Sequence, residues 1–233
     1  DTIVCVDRGA GSRMAYTYEY PHPAVTTDTV IFTVRDGRLE VLLIRRGQPP
    51  EQGKWAIPGG FVNIDEDLEE GARRELEEET GVRDVAYLEQ LHTFGHPDRD
   101  PRERIITVVF YGAVAPGRSD IRAGDDADAA SWFDTTDLPD LAFDHAAILD
   151  MACARLRARL ASPATAFRFL PRYFTLSELQ QVYEVILGEP QDKRNFRKRI
   201  LSLGLVKATG KDKRDGAHRP ARLYRARNRK GPL

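Results

Sequence analysis

GFVNIDEDLEEGARRELEEETGV, residues 60–82, is the stretch on which the fold turns. Pro58-Gly59-Gly60 breaks the chain just before it, and a helical pattern then runs from about Glu66 to Thr80. Gly81 is suited to the left-handed residue that ends such a helix. Leu68, Ala72 and Leu76 recur every fourth residue, which gives the helix one apolar face to lay on a sheet. Glu75, Glu78 and Glu79 stand at i, i+3 and i+4, so three carboxylates share another face. Like charges so placed repel by roughly 0.2–0.5 kcal/mol per pair, a cost that a bound divalent cation reverses. Carboxylate oxygens are hard donors, and they suit Mg²⁺ or Mn²⁺. The sharp turn allowed by Gly59 and Gly60 brings a backbone carbonyl, that of Gly59, towards the same metal shell. Arg74, beside the glutamates, is placed to orient the preceding loop by pairing with Glu66.

On the N-terminal side, Ala24–Val34 and Leu39–Arg46 are β-branched runs joined by Arg35-Asp36-Gly37-Arg38, a tight-hairpin signal. On the C-terminal side, strand-like runs follow at 85–94, 104–114 and 130–133. Asp144 is then expected to cap a helix reaching Leu160, with Ile148, Met151, Ala152 and Leu156 on one face. Mixed strands around a central helix predict an α/β sandwich, its core at about 24–135 and a closing helix at about 144–160. Residues 1–160 are therefore read as one domain. The first twenty residues show no clear periodicity.

Ala161-Ser162-Pro163-Ala164 reads as a linker to a second domain, 161–233. Thr175-Leu-Ser-Glu178 is a capping box that opens a helix ending at Gly188, and Asp192 starts another that ends at Gly204. Strand-like stretches at 205–209 and 221–226 flank a charged loop. Helix, turn, helix and basic hairpin is the order of a winged helix-turn-helix. Charge divides the same way: from Thr165 onward there are 17 Lys or Arg and 6 Asp or Glu, a net +11, which leaves −12 for residues 1–164. A polyanion is the partner such a basic half predicts. Phe196, Ile200 and Leu203 form the apolar stripe of the second helix, while Lys193, Arg194, Asn195, Arg197 and Lys198 gather on another face, suited to base edges and phosphates. Lys213 and Arg214 lie in the charged loop, and basic residues continue into a tail. Cys5 and Cys153 have neither disulfide nor zinc-site spacing, and no apolar run approaches the ~20 residues of a membrane helix. No signal-peptide pattern is read, so a cytoplasmic setting is expected.

The positions Gly60, Glu66, Arg74, Glu75, Leu76, Glu78, Glu79, Gly81 and Val82 match the Nudix signature without a departure. Seven fixed identities at roughly 7% each coincide by chance about once in 10⁸ starts, which sets aside a merely Glu-rich surface helix. The chain thus resembles the Nudix hydrolases, an α/β/α sandwich family that splits diphosphates joining a nucleoside to another group. The resemblance makes Glu75 and Glu79 the principal metal ligands and Glu78 a further ligand or the orienter of a water. Asp98, Asp100, Glu103 and the acidic residues of 126–128 are candidates for the general base.

Trp55-Ala-Ile-Pro-Gly-Gly-Phe61, His96-Pro-Asp-Arg-Asp-Pro101, Asn195-Phe-Arg197 and Arg219-Pro-Ala-Arg-Leu-Tyr224 extend the likeness. With them the chain resembles the Nudix-related transcriptional regulators, which fuse a Nudix sensor to a winged-helix DNA reader. That resemblance implies ADP-ribose or a related nucleotide as effector, operator DNA as partner and a homodimer. The retained glutamates imply Mg²⁺-dependent hydrolysis of ADP-ribose besides. The alternative is a dedicated ADP-ribose pyrophosphatase whose C-terminal domain serves only dimerisation or protein contacts. Arg46, Lys54 and Phe61 are candidate substrate contacts, and Pro97 stands where ADP-ribose hydrolases often carry a proline. His92, His96 and His145 show no partner in the sequence and receive no role.

Overall fold

The computed structural model describes residues 3–6, 15–85, 87–117, 121, 127–214 and 220–227. Strands β1 (Ile3–Val6) and β2 (Ala15–Tyr18) pair as a separate antiparallel ribbon. The long hairpin β3 (Ala24–Arg35) and β4 (Arg38–Arg46) turns through Asp36 and Gly37, at φ of 50° and 76°. Around it lie β5 (Trp55–Ala56), β6 (Gly59–Phe61), β7 (Leu88–Phe94), β8 (Ile105–Ala113) and β9 (Ala127–Asp134). The sheet order is β5-β4-β3-β8-β7, with β6 on β3 and β9 on β4; among the described strand pairs of this sheet only β3–β8 is parallel.

The period-2 pattern of the hairpin divides its side chains between two cores. Ile31 and Leu42 face helix α1 (Leu68–Thr80), where Ala72 and Leu76 meet them. Val30, Phe32, Val41 and Leu43 face the opposite way, towards helix α2 (His145–Arg159) with Ile148, Ala152 and Leu156. A mixed sheet between helices is the predicted sandwich. Helix α1 is capped by Asp67 and not started by Glu66: Asp67 and Glu70 form a capping box, which releases Glu66 to the preceding loop. Met151, expected on the inner face of α2, is exposed instead.

The second half contains α3 (Pro163–Ala166), a 3-10 turn at Phe167–Phe169, β10 (Phe174–Thr175), α4 (Leu176–Leu187), α5 (Lys193–Ser202), β11 (Val206–Lys213) and β12 (Ala221–Ala226). The predicted capping residues hold: Thr175 and Glu178 bond reciprocally at α4, and Asp192 accepts from the Asn195 N–H at α5. The β10-β12-β11 sheet completes a winged helix. Two expectations are corrected. Leu203 is exposed, so the buried stripe of α5 is Phe196 and Ile200. The stretch read as a linker runs into packed structure: Ala161 is exposed, but Pro163 and Ala164 begin a helix, and Thr165, Ala166 and Phe167 just after them are buried. The reason is a shared core, in which Phe32 and Ile148 belong to the same apolar cluster as Phe167, Phe174, Leu179 and Ile200. Among the described residues no helix is long and apolar enough to cross a membrane.

Candidate functional site

The site is built on the loop between β6 and α1 and on the helix face above it. Arg74 organises it. Its guanidinium donates to both oxygens of Glu66 at 2.6 and 2.9 Å, to Glu75 at 2.8 Å, to Glu78 at 3.1 Å and to the Phe61 carbonyl at 3.0 Å. Glu66 also accepts the Asn63 N–H at 2.7 Å. The hydrogen bonds from Arg74 hold the Glu66 carboxyl down at about 2, so this loop clamp stays ionised at any ordinary pH.

Glu75 and Glu79 sit deeper. Glu79 accepts the Gly59 N–H at 2.8 Å, which ties the helix to β6. Burial, with the neighbouring charges of Glu75 and Asp28, pushes its carboxyl up to about 8, and burial likewise raises Glu75. The Gly60 backbone cradles the Glu75 carboxylate: a Cβ there would stand 2.4 Å from it, and one on Gly59 would meet the Thr27 carbonyl at 2.3 Å. Two half-buried carboxylates that resist ionisation beside each other suit a divalent cation, whose charge removes that penalty. Glu78 does not join them; its side chain is largely exposed and turned to Arg74. Among the described residues, no three acidic, histidine or cysteine side chains converge as a metal-holding group.

Around this centre lie residues that sequence spacing did not single out. Asp28 on β3 is buried, accepts the Thr107 hydroxyl at 2.6 Å and lies 4.0 Å from the Arg99 guanidinium. Arg99 is paired with both oxygens of Asp144, at 3.0 and 2.8 Å. Asp144 therefore does not cap α2 as expected; it stands at the N-cap with no side-chain cap bond. Phe143, before it, has φ of 52° and carries the Arg46 guanidinium 4.8 Å from its ring centre and that of Arg102 at 5.8 Å. Arg102 also lies 5.5 Å from the ring of Phe61 and is fixed by the buried Asp100. His145 is buried, and its Nδ1 accepts the Ile57 N–H at 2.9 Å. Apart from Asp100 and Arg102, these partners lie 41 to 97 residues apart in sequence, too distant for any local spacing to signal.

Of the predicted substrate contacts, Arg46 and Phe61 are thus joined through Phe143 and Arg102. Lys54 is occupied, paired with Glu51 at 2.5 Å and with Asp140 at 3.7 Å. Pro97 is exposed on the β7–β8 loop, which also carries Asp98 to a cavity beside Phe143. Asp100, a candidate base, is taken by Arg102, while Asp126 and the side chain of Asp128 lie outside the described residues. On α5, Lys193, Arg194, Asn195, Arg197 and Lys198 are all exposed, opposite the buried Phe196 and Ile200. Lys213 pairs with Glu178 at 2.8 Å, which ties the wing to the start of α4; Arg214 is exposed.

Comparison with known proteins agrees with this division. The NUDIX domain family matches residues 25–151, and the NrtR DNA-binding winged helix domain matches residues 166–226. The ADPR responsive transcriptional repressor NtrR of Acinetobacter baylyi is 39% identical over 89% of this chain and 83% of its own. The ADP-ribose pyrophosphatase of Methanocaldococcus jannaschii is 45% identical over 56% of this chain and 73% of its own. Shewanella oneidensis NrtR, crystallised with a 27mer DNA, superposes with a TM-score of 0.78 at 36% identity, over 87% of this chain and 93% of that one. The chain belongs to the Nudix family, in the NrtR type that joins a Nudix domain to a DNA-binding winged helix.

Proposed function

We propose that this protein is an ADP-ribose-responsive transcriptional regulator, with residues 1–160 as sensor and 161–233 as reader of operator DNA. The observation that carries this reading is the exposed cationic face of α5, joined through one apolar core to a domain with every glutamate of the box. Its relatives support it: one is a repressor responsive to ADPR and another was crystallised with DNA. Lys193, Arg194, Asn195, Arg197 and Lys198 enter the major groove, while Lys213 and Arg214 follow phosphates. A homodimer matches the two-fold symmetry of operators read in this way, and the setting is cytoplasmic.

The sensor also hydrolyses ADP-ribose to AMP and ribose 5-phosphate in this reading, supported by likeness to a pyrophosphatase and by the intact box. Glu75 and Glu79, with the Gly59 carbonyl and with Glu78 once freed from Arg74, would hold Mg²⁺ or Mn²⁺. When bound, the metal supplies Lewis acidity and a more acidic water. Arg46 and Phe61, with Arg102 and Phe143, receive the diphosphate end.

The reading is tested by titrating the full chain with duplex DNA from upstream of its neighbouring genes across a range of salt. Affinity should fall steeply with salt, and Arg197→Ala and Lys193→Ala should each reduce the log–log slope by about one. DNA affinity indifferent to both salt and these changes defeats the regulator. Hydrolysis without DNA binding would leave a dedicated pyrophosphatase. A second measurement concerns the cradle. Gly60→Ala places a methyl on the Glu75 carboxylate, a flexible group that moves aside. Hydrolysis should fall by about tenfold or more with little change in melting temperature, as expected where sub-ångström placement governs rate. Unchanged hydrolysis would show that Glu75 tolerates displacement.

A further inference from the structure

Beside Phe143 lies a cavity of about 410 Å³ whose charged lining is Glu51, Asp98, Asp144 and Arg99. Three carboxylates against one guanidinium disfavour a phosphate and favour a neutral group rich in hydrogen-bond donors. Burial, and after it the nearby Arg102, weakens the Arg46 guanidinium, and the two guanidiniums meet instead at the Phe143 ring, where an anion would relieve Arg46. Phe143 thus belongs to two unlike environments. Its left-handed backbone is strained for a bulky residue, and such strain collects at ligand clamps and switches.

Arg99, almost wholly buried, stands between two carboxylates. Asp28, on one side, borders Gly59 of the metal loop; Asp144, on the other, begins α2. The Asp144 carboxylate has two mutually exclusive occupations: the ion pair it makes, or the first-turn N–H groups that an N-cap aspartate normally takes. Helix α2 carries any shift at its start directly to the DNA module. Its Arg157 donates to the Ile186 carbonyl of α4 at 3.2 Å, and Ile148 and Leu156 share a core with Leu179 and Ile186.

We propose that the cavity takes the neutral, hydroxyl-bearing end of a diphosphate ligand, and that the Arg99–Asp144 ion pair reads its arrival and passes it along α2 to α4. The proposal rests on the ADP-ribose reading above. Ligand hydroxyls donate to Asp144 and displace Arg99 towards Asp28. With Arg99 gone from both oxygens, one Asp144 oxygen accepts the ligand and the other settles on the first turn of α2, and the helix start moves with it. A ligand without the neutral end fills only the cationic side and leaves the pair closed.

The test uses the full chain, an operator duplex, and either ADP-ribose or inorganic pyrophosphate, each with Mg²⁺. ADP-ribose should change wild-type operator affinity by roughly tenfold, within the usual range of coupling between two sites. Pyrophosphate should change it by less than about twofold, because a ligand shifts an equilibrium only by its differential affinity for the two states. Asp144→Asn should weaken ADP-ribose binding by calorimetry, and Asp144→Asn and Arg99→Gln should both lose the operator response at ADP-ribose concentrations that saturate each variant. Asn keeps a capping oxygen, so it remains informative where the arginine variant fails to fold. Variants that respond like wild type would overturn the reader alone and leave the regulator standing, as would a full response to pyrophosphate. A wild type that does not respond to ADP-ribose overturns both.

Discussion

Glu79→Gln is expected to lower Mg²⁺-dependent hydrolysis of ADP-ribose by roughly 10²–10³-fold, as the loss of several kcal/mol of metal-borne stabilisation converts at ~1.4 kcal/mol per factor of ten. Operator affinity should stay within about twofold, since the winged helix is untouched. Unfolding is not the cause to expect: the half-buried acid is largely protonated near neutrality, and Gln keeps its size and the oxygen that accepts from Gly59. Stability supplies an independent check. The folded carboxyl is raised to about 8 from an ordinary 4.5, so between those values the native state binds the extra proton. Wild-type stability, with metal chelated, should therefore fall as pH rises from 4.5 to 8, by up to about 1.4 kcal/mol per unit. The Gln variant loses that slope and gains relative to wild type at pH 8. Denaturant melts at pH 5 and 8 measure it, and parallel curves for the two proteins would remove Glu79 from the buried acidic centre.

Phe174→Ala should destabilise the whole chain by about 3–5 kcal/mol, the usual range for emptying a buried aromatic site. Phe174 is fully buried and stacks on Phe167 with ring centres 5.6 Å apart. Both tryptophans, Trp55 and Trp132, precede residue 160, whereas the substitution follows it. Because one apolar cluster joins Val30 and Phe32 to Phe174, Leu179 and Ile200, tryptophan fluorescence should melt together with the far-ultraviolet signal. For a chain of this size the midpoint should drop by roughly 10 °C in both signals. A fluorescence midpoint that stays in place would show that the two halves fold apart.

The same cluster explains where sequence reading stopped. Small residues and a proline make 161–164 read as a linker, but Pro163 is equally suited to the first turn of a helix. Which role it plays depends on whether apolar surface waits for Ala166 and Phe167, and that surface is the shared core, where Phe167 stacks on Phe174. Asp144 likewise had the right identity and position for a cap; Arg99, 45 residues away, outbid the helix for its carboxylate. His145 appeared partnerless because its donor is the backbone of Ile57. Glu78 shared a helix face with Glu79 by spacing alone, but the reach of Arg74 separates them.

The sequence by itself determined the box, its helix and its apolar face, the hairpin at Asp36-Gly37, and the capped helices and basic face of the second half. All of these depend on contacts within a few residues, through helical period, turn chemistry or charge density. Tertiary structure alone decided the burial that sets Glu75 and Glu79 apart from Glu78, the Asp28–Arg99–Asp144 line, the Phe143 clamp and the fusion of two modules into one core. Those features are made by groups brought together across long stretches of chain, where burial and charge act through distance in space and not along the sequence.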